Sequence, residues 1–459
     1  MPEHATPRAL RRCLGPIGIT GQAVATMGMT VTATINIPQA FASGSGSDTW
    51  ISYAVALAVI LLVAETLVLF RHHPPRSSGI AGYVGAGLGP RSTALAAWAL
   101  VLGYGAVLIA CLGFFSAYLS GFLQAVGVSI PLPALFLLCG GFCLELARRD
   151  VQLSASTMLL TEGLSVLLVM GLCVLVLQQD HSAAVLSAIT PRADGPTQVG
   201  AGLMVAVFSF IGFESAANLG EEAQTPHRAV PLALRASVLV AGCVFLFWAW
   251  VLVQGLATLP AAQRMGVDPL VALAQRLGDA PAGSLIMVGA TLSLFGSGLG
   301  SVTALGRVVY ALSSQGVLPI QLQAVHPQFR TPAVALVCST LPLLLAGAWM
   351  VAVGITPQTL YDQFGSFSVL AFLLVYGLVA CAALRRQLPA TSQLRRWLVA
   401  GACLVAISAV LVSYGTSLVA QQSQLLWSFA AAMAVGSLVS WRSLRPQAEP
   451  APPADHGDR

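Results

Sequence analysis

The chain has 459 residues, of which 56% are hydrophobic and only 8% are charged, and its mean hydropathy is +0.81. Soluble globular domains carry about 25% charged residues, so this composition excludes a chain that is mostly exposed to water. The net charge of +5 comes from arginine without any lysine, and these arginines are scattered between apolar runs, so we expect no nucleic-acid partner.

Twelve apolar segments follow one another along the chain. Each approaches or exceeds the roughly 20 residues that a helix needs to cross a bilayer core of about 30 Å. We therefore predict an all-α membrane protein with twelve transmembrane helices, named span 1 to span 12 in chain order. Their predicted ranges are 14–43, 50–70, 92–126, 131–147, 154–178, 198–220, 232–257, 283–313, 333–354, 360–384, 397–417 and 424–441.

The arginines predict how these spans are oriented, because cytoplasmic loops carry an excess of basic residues. With the N-terminus in the cytoplasm, nineteen of the 22 basic residues fall on the cytoplasmic side and only Arg192, Arg264 and Arg276 fall opposite. We expect a multi-pass protein of the cytoplasmic (inner) membrane with both termini inside. Residues 1–13 are predicted to be a cytoplasmic tail, and the proline-rich residues 442–459 a disordered one.

Metal-binding residue types are sparse within the spans. All seven histidines fall in predicted loops or tails, and the nine cysteines lack the spacing of a zinc site. We therefore expect no metal site and no cofactor. A membrane enzyme would need a polar catalytic set at a membrane face, and a channel would need repeated filter-like segments or rings of charge. The sequence contains neither pattern.

Span 1 is polar at a depth where a transmembrane helix is normally apolar. Its segment Gly28–Pro38 contains Thr30, Thr32 and Thr34 as well as an asparagine. Because proline removes a backbone donor and crowds the preceding turn, we expect the helix to open just before Pro38. Open backbone at this depth is tolerated only where it lines a cavity. The alternative is a proline-kinked helix whose threonines bond back to their own carbonyls.

Span 6 has a second polar interruption, at Phe208–Ser215. It places Gly212 beside Glu214 and between serines. A charged side chain at the bilayer centre costs at least about 2.5 kcal/mol on insertion scales, so a functional role is expected. The alternative is a helix kink that contains a neutral, hydrogen-bonded glutamic acid.

Spans 1 and 6 are five helices apart, so the two interruptions lie in halves of opposite orientation, as in inverted-repeat transporters. In such proteins the amides of a half-helix N-terminus bind an anionic group of the substrate, and unwound carbonyls bind a cation or an ammonium group. A zwitterion matches both ends. The pair of interruptions therefore points to an amino acid as the substrate.

Three stretches carry a resemblance to a known family. The run Phe208-x-Phe210-x-Gly212-Phe213-Glu214, with Glu221-Glu222, Pro226, Arg228 and Pro231 after it, resembles the sixth-helix signature of the amino acid–polyamine–organocation superfamily. The stretch after span 8 is similar to the same family at Arg307, Gly316, Leu318-Pro319, Val325-His326-Pro327 and Arg330-Thr331-Pro332. The start of span 3 is similar at Gly82-Tyr83-Val84, Gly87 to Pro90 and Trp98.

This resemblance implies a LeuT-type fold: a five-plus-five inverted-repeat core over residues 14–385, with broken spans 1 and 6, and two extra helices over residues 386–441. It also implies alternating access, with the substrate between spans 1, 3, 6, 8 and 10. The chain departs from the family in span 1. Many members have Gly-Ser-Gly where this chain has Val31-Thr32-Ala33. Thr32 keeps a hydroxyl where serine usually stands, but the glycines are missing, so the departure affects the predicted substrate more than the predicted fold.

We predict that the interrupted parts of spans 1 and 6 hold the substrate. The candidate residues are Thr30, Thr32, Ala33, Thr34, Phe208, Ser209, Phe210, Ile211, Gly212 and Phe213. The charged loop after span 6 is expected to be a salt-bridged cytoplasmic cap for spans 6 and 7. It contains Glu221, Glu222, His227 and Arg228. Glu65 of span 2 is expected to pair with an arginine.

Three acids lie within or at the edge of spans: Glu162, Glu214 and Asp362. Intramembrane acids are typical of proton relays, so Glu162 and Glu214 are the candidates for proton coupling. Sodium is the alternative, with hydroxyls such as Ser297 and Ser301 of span 8 as ligands.

The sequence thus predicts a secondary active transporter for an amino acid or a related amine, working as a proton-coupled symporter. An amino acid or polyamine exchanger and a sodium-coupled symporter are the alternatives. A membrane sensor that does not transport would typically carry a soluble signalling domain, and the short tails argue against one. The expected partners are the small-molecule substrate and the lipid bilayer, and the oligomeric state is left open.

Overall fold

The computed structural model describes residue 10 and residues 12–72, 79–149, 151–178, 195–264, 268–278, 280–386, 393–421 and 423–443. Within these ranges the regular elements are helices, apart from one isolated bridge between Leu14 and Ala223. The described part of the chain is therefore all-α, as predicted. Most of the predicted tails at 1–13 and 442–459, and the loop that carries Arg192, lie outside the described residues.

Helices occupy all twelve predicted segments, and the span names are kept for them. Span 1 consists of Pro16–Met27, Met29–Val31, the π-helix Thr32–Asn36, Ile37–Ala40 and the π-helix Phe41–Ser45. Span 6 consists of Gly195–Phe210 and Ser215–Asn218. The other spans are Thr49–Val68, Pro90–Ala125, Leu132–Arg149, Val151–Leu177, Pro226–Ala257, Ala280–Ser314, Ala333–Ala352, Pro357–Arg385, Gln393–Gln421 and Ser423–Ser443. Shorter elements outside the predicted spans are Gly46–Asp48, Gly79–Leu88, Ala261–Arg264, Pro269–Arg276 and Ile320–Gln323.

Eight helical stretches in the described ranges are long and apolar enough to cross a membrane, and three further apolar helices are shorter. The first of the eight, Pro16–Val68, contains both span 1 and span 2. The chain reverses between these two spans at Gly44 and Gly46, whose φ angles are 120° and 49°. With this many apolar helices the chain is a multi-pass membrane protein.

Span 3 packs closely against both span 8 and span 10, and a small residue lets it approach span 10. A Cβ at Gly103 of span 3 would lie 2.8 Å from the ring of Phe372 in span 10. The ring of Tyr104 meets that of Phe372 edge-on, with 5.0 Å between centroids. This packing carries the Tyr104 hydroxyl toward the broken part of span 6. Such small-residue contacts are typical of helices packed within lipid.

The helix of span 1 breaks at Gly28, not just before Pro38. Gly28 has φ 67° and ψ 71°, a left-handed conformation that costs glycine little and other residues more. The residues before Pro38 stay helical as the π-helix Thr32–Asn36, and Pro38 itself lies inside Ile37–Ala40. The expectation of an opening just before Pro38 is therefore wrong, because a wider π-turn accommodates the missing donor there.

Span 6 breaks at the predicted place. Gly212 has φ 119° and separates Gly195–Phe210 from Ser215–Asn218. The two breaks are in direct contact, because a Cβ at Gly212 would lie 2.7 Å from the carbonyl carbon of Thr26 and 2.9 Å from the nitrogen of Met27. Only a residue without a side chain allows this approach of one backbone to the other.

Gly212→Ala is therefore expected to destabilise the protein by more than about 1 kcal/mol, since the new methyl group meets backbone atoms at an unfavourable φ. Thermal unfolding of the purified protein in detergent, followed by tryptophan fluorescence, measures the effect. Gly141→Ala is the matched control, because a methyl group added at Gly141 of span 4 would meet no atom of another helix within 4 Å. Equal midpoints for the two variants would contradict the contact between the breaks.

Candidate functional site

The carboxylate of Glu162 from span 5 caps the second half of span 1. The amide of Thr30 donates to Glu162 Oε1 over 3.2 Å, and the Ser293 hydroxyl of span 8 donates to the same oxygen over 3.0 Å. The amide of Val31 in turn donates to Ser293 Oγ over 3.3 Å. The amides of Thr30 and Val31 thus bind side chains from two other spans, so this network joins spans 1, 5 and 8 to one another.

The rest of the Glu162 environment is polar but incompletely paired. The Thr30 hydroxyl donates to Ser165 Oγ, which donates to the Glu162 backbone carbonyl, each over 2.9 Å. On the other side of the break, Ser297 donates to the carbonyl of Ala25 over 3.2 Å. The second carboxylate oxygen, Glu162 Oε2, is buried and has no hydrogen-bond partner among the described residues.

The carboxylate of Glu214 caps the break in span 6. Its Oε1 accepts from the Tyr104 hydroxyl of span 3 over 2.9 Å. Its Oε2 accepts from the Tyr376 hydroxyl of span 10 over 2.8 Å and from the Gly212 amide over 3.0 Å. Asn218 donates to the Tyr104 oxygen over 3.1 Å. Because an ionised carboxylate accepts at both oxygens, this arrangement suits a negative charge that is completely enclosed.

The predicted substrate residues of span 1 have different hydrogen-bond partners: some bond to the Glu162 network and others to their own helix. Thr30 belongs to the Glu162 network. Thr32 and Thr34 bond back to the carbonyls of Gly28 and Thr30, over 3.3 and 2.8 Å, which was the alternative expected from the sequence. Ala33 is fully buried.

Ser209 belongs to a separate cluster, on the predicted outer side of the breaks. Asn36 of span 1 donates to Ser209 Oγ over 2.9 Å, and the Tyr53 hydroxyl of span 2 lies 3.0 Å from it. The hydroxyl of Tyr361 in span 10 donates to Asn36 Oδ1 over 2.7 Å. The tyrosines and Asn36 are not among the predicted site residues. A buried tyrosine hydroxyl needs a partner, and that rule is the signal that identifies them.

The aromatic residues around the break pack in different places. Phe210 is buried against Phe245, with 5.1 Å between ring centroids, and Phe213 is buried 5.9 Å from Tyr376. Ile211 is buried as well. Phe208 instead meets Tyr361 edge-on at 5.5 Å. Phe210 and Phe213 therefore serve packing in this conformation, and Phe208 faces the predicted outer side.

Two crevices lie on the predicted outer side. The first, of about 30 Å³, is lined by Gln39, Phe208, Tyr361 and Asp362 among others. The second, of about 10 Å³, is lined by residues that include Thr34. A cavity needs about 10–15 Å³ to hold one water molecule, so these crevices admit water but not an amino acid.

A buried ion pair lies on the predicted cytoplasmic side. Arg307 of span 8 donates to both carboxylate oxygens of Glu222, over 2.5 and 2.8 Å, and the two side chains are 2% and 1% exposed. The backbone carbonyl of Glu222 accepts from the amides of Cys13 and Leu14 over 3.0 Å. The loop after span 6 is thereby joined to span 8 and to the segment before span 1.

Two residues of the predicted cap over spans 6 and 7 bind elsewhere, because Glu222 reaches span 8 and His227 Nδ1 lies 2.9 Å from the carbonyl of Arg71. The expected partner of Glu65 is confirmed: its carboxylate binds Arg235 over 2.5 Å and Arg395 over 3.2 Å.

Comparison with known proteins gives matches over most of the chain. The model of the amino acid permease family matches residues 19–439. A branched-chain amino acid permease of Bacillus subtilis is 27% identical over 344 residues, which are 72% of this chain and 72% of the relative. A serine/threonine exchanger of the same species is 26% identical over 65% of this chain and 68% of its own length. A low-affinity putrescine importer of Escherichia coli is 24% identical over 75% and 77%.

Glu222→Gln is expected to cost about 3–5 kcal/mol of stability, because it leaves the buried Arg307 without a counter-charge. The matched control is Glu145→Gln, whose carboxylate is 39% exposed beside Arg148 and Arg149, and an exposed pair is worth at most about 1 kcal/mol. Thermal unfolding in detergent compares the two variants. If Glu222→Gln unfolds at the temperature of the control, the buried ion pair does not stabilise the fold as expected.

Proposed function

The chain belongs to the amino acid permease family, and we propose that it is a secondary active transporter that moves an amino acid or a related amine across the cytoplasmic membrane by alternating access. The contact between the two breaks carries this proposal. Gly212 of span 6 lies on the Thr26–Met27 peptide of span 1. Interrupted backbone within a membrane is tolerated where it is buried in protein or lines a cavity. At both breaks an amide donates to a buried carboxylate.

The proposed architecture has twelve crossings, both termini in the cytoplasm, and a LeuT-type five-plus-five repeat followed by spans 11 and 12. Helices at all twelve segments support the number of crossings. The positions of the breaks support the repeat, because spans 1 and 6 would be the first helices of the two halves. The arginine distribution supports the orientation.

In this proposal the two breaks are closed off from both sides in the described conformation. The small outer crevices and the Arg307–Glu222 pair support it. Opening toward the cytoplasm would separate Glu222 from Arg307 and release the Cys13–Leu14 segment from the loop after span 6. Opening outward would separate Asn36 from Ser209 and Tyr361.

The substrate would lie beside the interrupted segments Thr30–Thr34 and Phe208–Phe213, whose backbones meet at the two breaks. The names of the relatives include branched-chain amino acids, serine and threonine, and putrescine. These names support a substrate with an amino group. They differ in whether that substrate also has a carboxylate.

Proton-coupled symport is the proposed mode, with Glu214 and Glu162 as the groups that load and release protons. Both are buried and both lie at a break, so a change in their charge would act directly on the two mobile half-helices. Exchange is the alternative, supported by the name of the serine/threonine exchanger.

Sodium coupling is a second alternative, supported by one observation. The hydroxyl of Ser301 in span 8 is buried without a hydrogen-bond partner among the described residues. Ser297, one helical turn away, donates to Ala25, so its oxygen retains a free lone pair for a cation.

Uptake by proteoliposomes tests the proposal. Uptake of a radiolabelled panel of amino acids and amines should increase when the vesicle interior is made alkaline, and should persist without sodium. Glu214→Gln should lower uptake by at least about tenfold, since a neutral amide cannot release a proton or accept both tyrosine hydroxyls at full strength. Its residual uptake should depend less steeply on pH, because Glu162 is then the remaining one of the two proposed proton carriers.

Glu145→Gln is the matched control for this experiment and should behave as the wild type. Uptake that requires sodium and ignores the pH gradient would contradict proton coupling. Failure of every member of the panel to enter the vesicles would contradict the transport function itself.

A further inference from the structure

We infer that the substrate is a cationic amine without a carboxylate, because Glu162 and Ser293 of the chain itself already accept from the Thr30 and Val31 amides that would bind a substrate carboxylate at the break of span 1. This inference rests on the proposed function and names the substrate class of its site. Three observations carry it: the occupied amides of span 1, the occupied donors of span 6, and the absence of a positive partner for either acid among the described residues.

Three amides at the start of the second half of span 1, those of Thr30, Val31 and Thr32, are directed to protein acceptors. Thr30 donates to Glu162 Oε1 over 3.2 Å and Val31 to Ser293 Oγ over 3.3 Å. The next amide, that of Thr32, already bonds to the Gly28 carbonyl over 3.0 Å as part of the helix. A substrate carboxylate would have to displace Glu162 to reach these donors, so the protein carries its own anion in that position.

The donors around the break of span 6 are also directed to an acid of the protein. The amide of Gly212 and the hydroxyls of Tyr104 and Tyr376 all donate to Glu214. The amide of Ser215 bonds to the Gly212 carbonyl over 3.0 Å. A substrate carboxylate near this break would meet occupied donors and a like charge, which disfavours it strongly where water is excluded.

Neither acid has a positive partner among the described residues. The buried basic side chains in the described ranges are Arg307 and Arg396. Arg307 is held by Glu222, and Arg396 donates to the carbonyl of Arg386. A buried carboxylate without a counter-charge is costly. A cationic substrate would supply that charge, whereas a zwitterion would bring a third carboxylate with its ammonium group.

The free oxygen of Glu162 marks where an ammonium group would bind. Glu162 Oε2 is buried without a hydrogen-bond partner among the described residues. It borders Gly296 of span 8, where an added Cβ would lie 3.6 Å from Oε2 and 3.8 Å from the carbonyl oxygen of Ala25. An ammonium group has three donors and no acceptor, so it can donate to this unpaired carboxylate oxygen.

Matched pairs of compounds test the inference on the full-length protein. Putrescine and ornithine differ only by a carboxylate, as do cadaverine and lysine, and isopentylamine and leucine. Binding to purified protein is measured by ligand-dependent shifts in thermal unfolding, and competition against labelled uptake is measured in proteoliposomes. Each amine should act at a concentration at least about tenfold below that of its amino acid, a difference of about 1.4 kcal/mol in binding free energy.

Two substitutions at Glu162 separate the effect of its charge from the effect of its hydrogen bond to the Thr30 amide. Glu162→Ala frees the Thr30 amide and removes the charge. The affinity for each amino acid should therefore rise at least about fivefold relative to the affinity for its amine. Glu162→Gln retains an oxygen that accepts from the Thr30 amide but loses the charge. The affinity for amines should therefore fall, and the affinity for amino acids should not rise. Glu145→Gln should leave the ratio of every pair unchanged.

The outcomes are distinct. If the wild type prefers the amino acid in each pair, or if Glu162→Ala folds and leaves the ratios unchanged, the inference is overturned while the proposed function stands. If the variant does not fold, the wild-type ratios decide alone. If no member of any pair binds or is transported, the proposed function fails as well.

Discussion

A backbone amide or carbonyl inside a membrane must find its partner within the protein, because the hydrocarbon offers none. This constraint governs the two breaks at Gly28 and Gly212. Each break frees backbone groups at buried positions. In each case a carboxylate accepts a hydrogen bond from a freed amide: Glu162 for span 1 and Glu214 for span 6. The spans that supply or support these acids are therefore the ones that surround the breaks. Spans 3, 5, 8 and 10 each supply a side chain to the hydrogen bonds around the two interrupted helices.

Much of this could be predicted from composition and local pattern. Apolar length fixes the positions of the helices, and Gly212 beside Glu214 identifies the break in span 6. The break in span 1 could not be placed in the same way. Pro38 is the stronger local signal, but a π-helix absorbs its effect. Gly28 breaks the helix where it does because Glu162, 132 residues from Thr30 in sequence, supplies the cap.

Partners distant in sequence account for the remaining differences. Glu222 lies in a loop full of nearby charges, yet it binds Arg307, 85 residues away. Ser209 lies next to the break but bonds to Asn36, 173 residues away. Sequence identifies these residues as polar within an apolar chain, which is enough to mark them as important. Which side chain each one meets depends on how the spans pack, and no local pattern contains that information.

The charges of the described residues are arranged so that the centre is negative and the predicted cytoplasmic side carries the paired arginines. Glu162 and Glu214 lie at the breaks, and the buried Arg307 is neutralised by Glu222 where the loop after span 6 meets span 8. A positive substrate or a proton would be drawn to the breaks by this distribution. Movement of the half-helices and a change of charge at the two acids would then be coupled through the same hydrogen bonds.

A structure of the full chain in a lipid nanodisc with a bound amine tests this account most directly. The account predicts that the amine lies between Gly28 and Gly212, with an ammonium nitrogen within about 3 Å of Glu162 Oε2 and with Thr30 still bonded to Oε1. An amine bound away from both breaks, or Glu162 turned away from the Thr30 amide when the site is occupied, would contradict it.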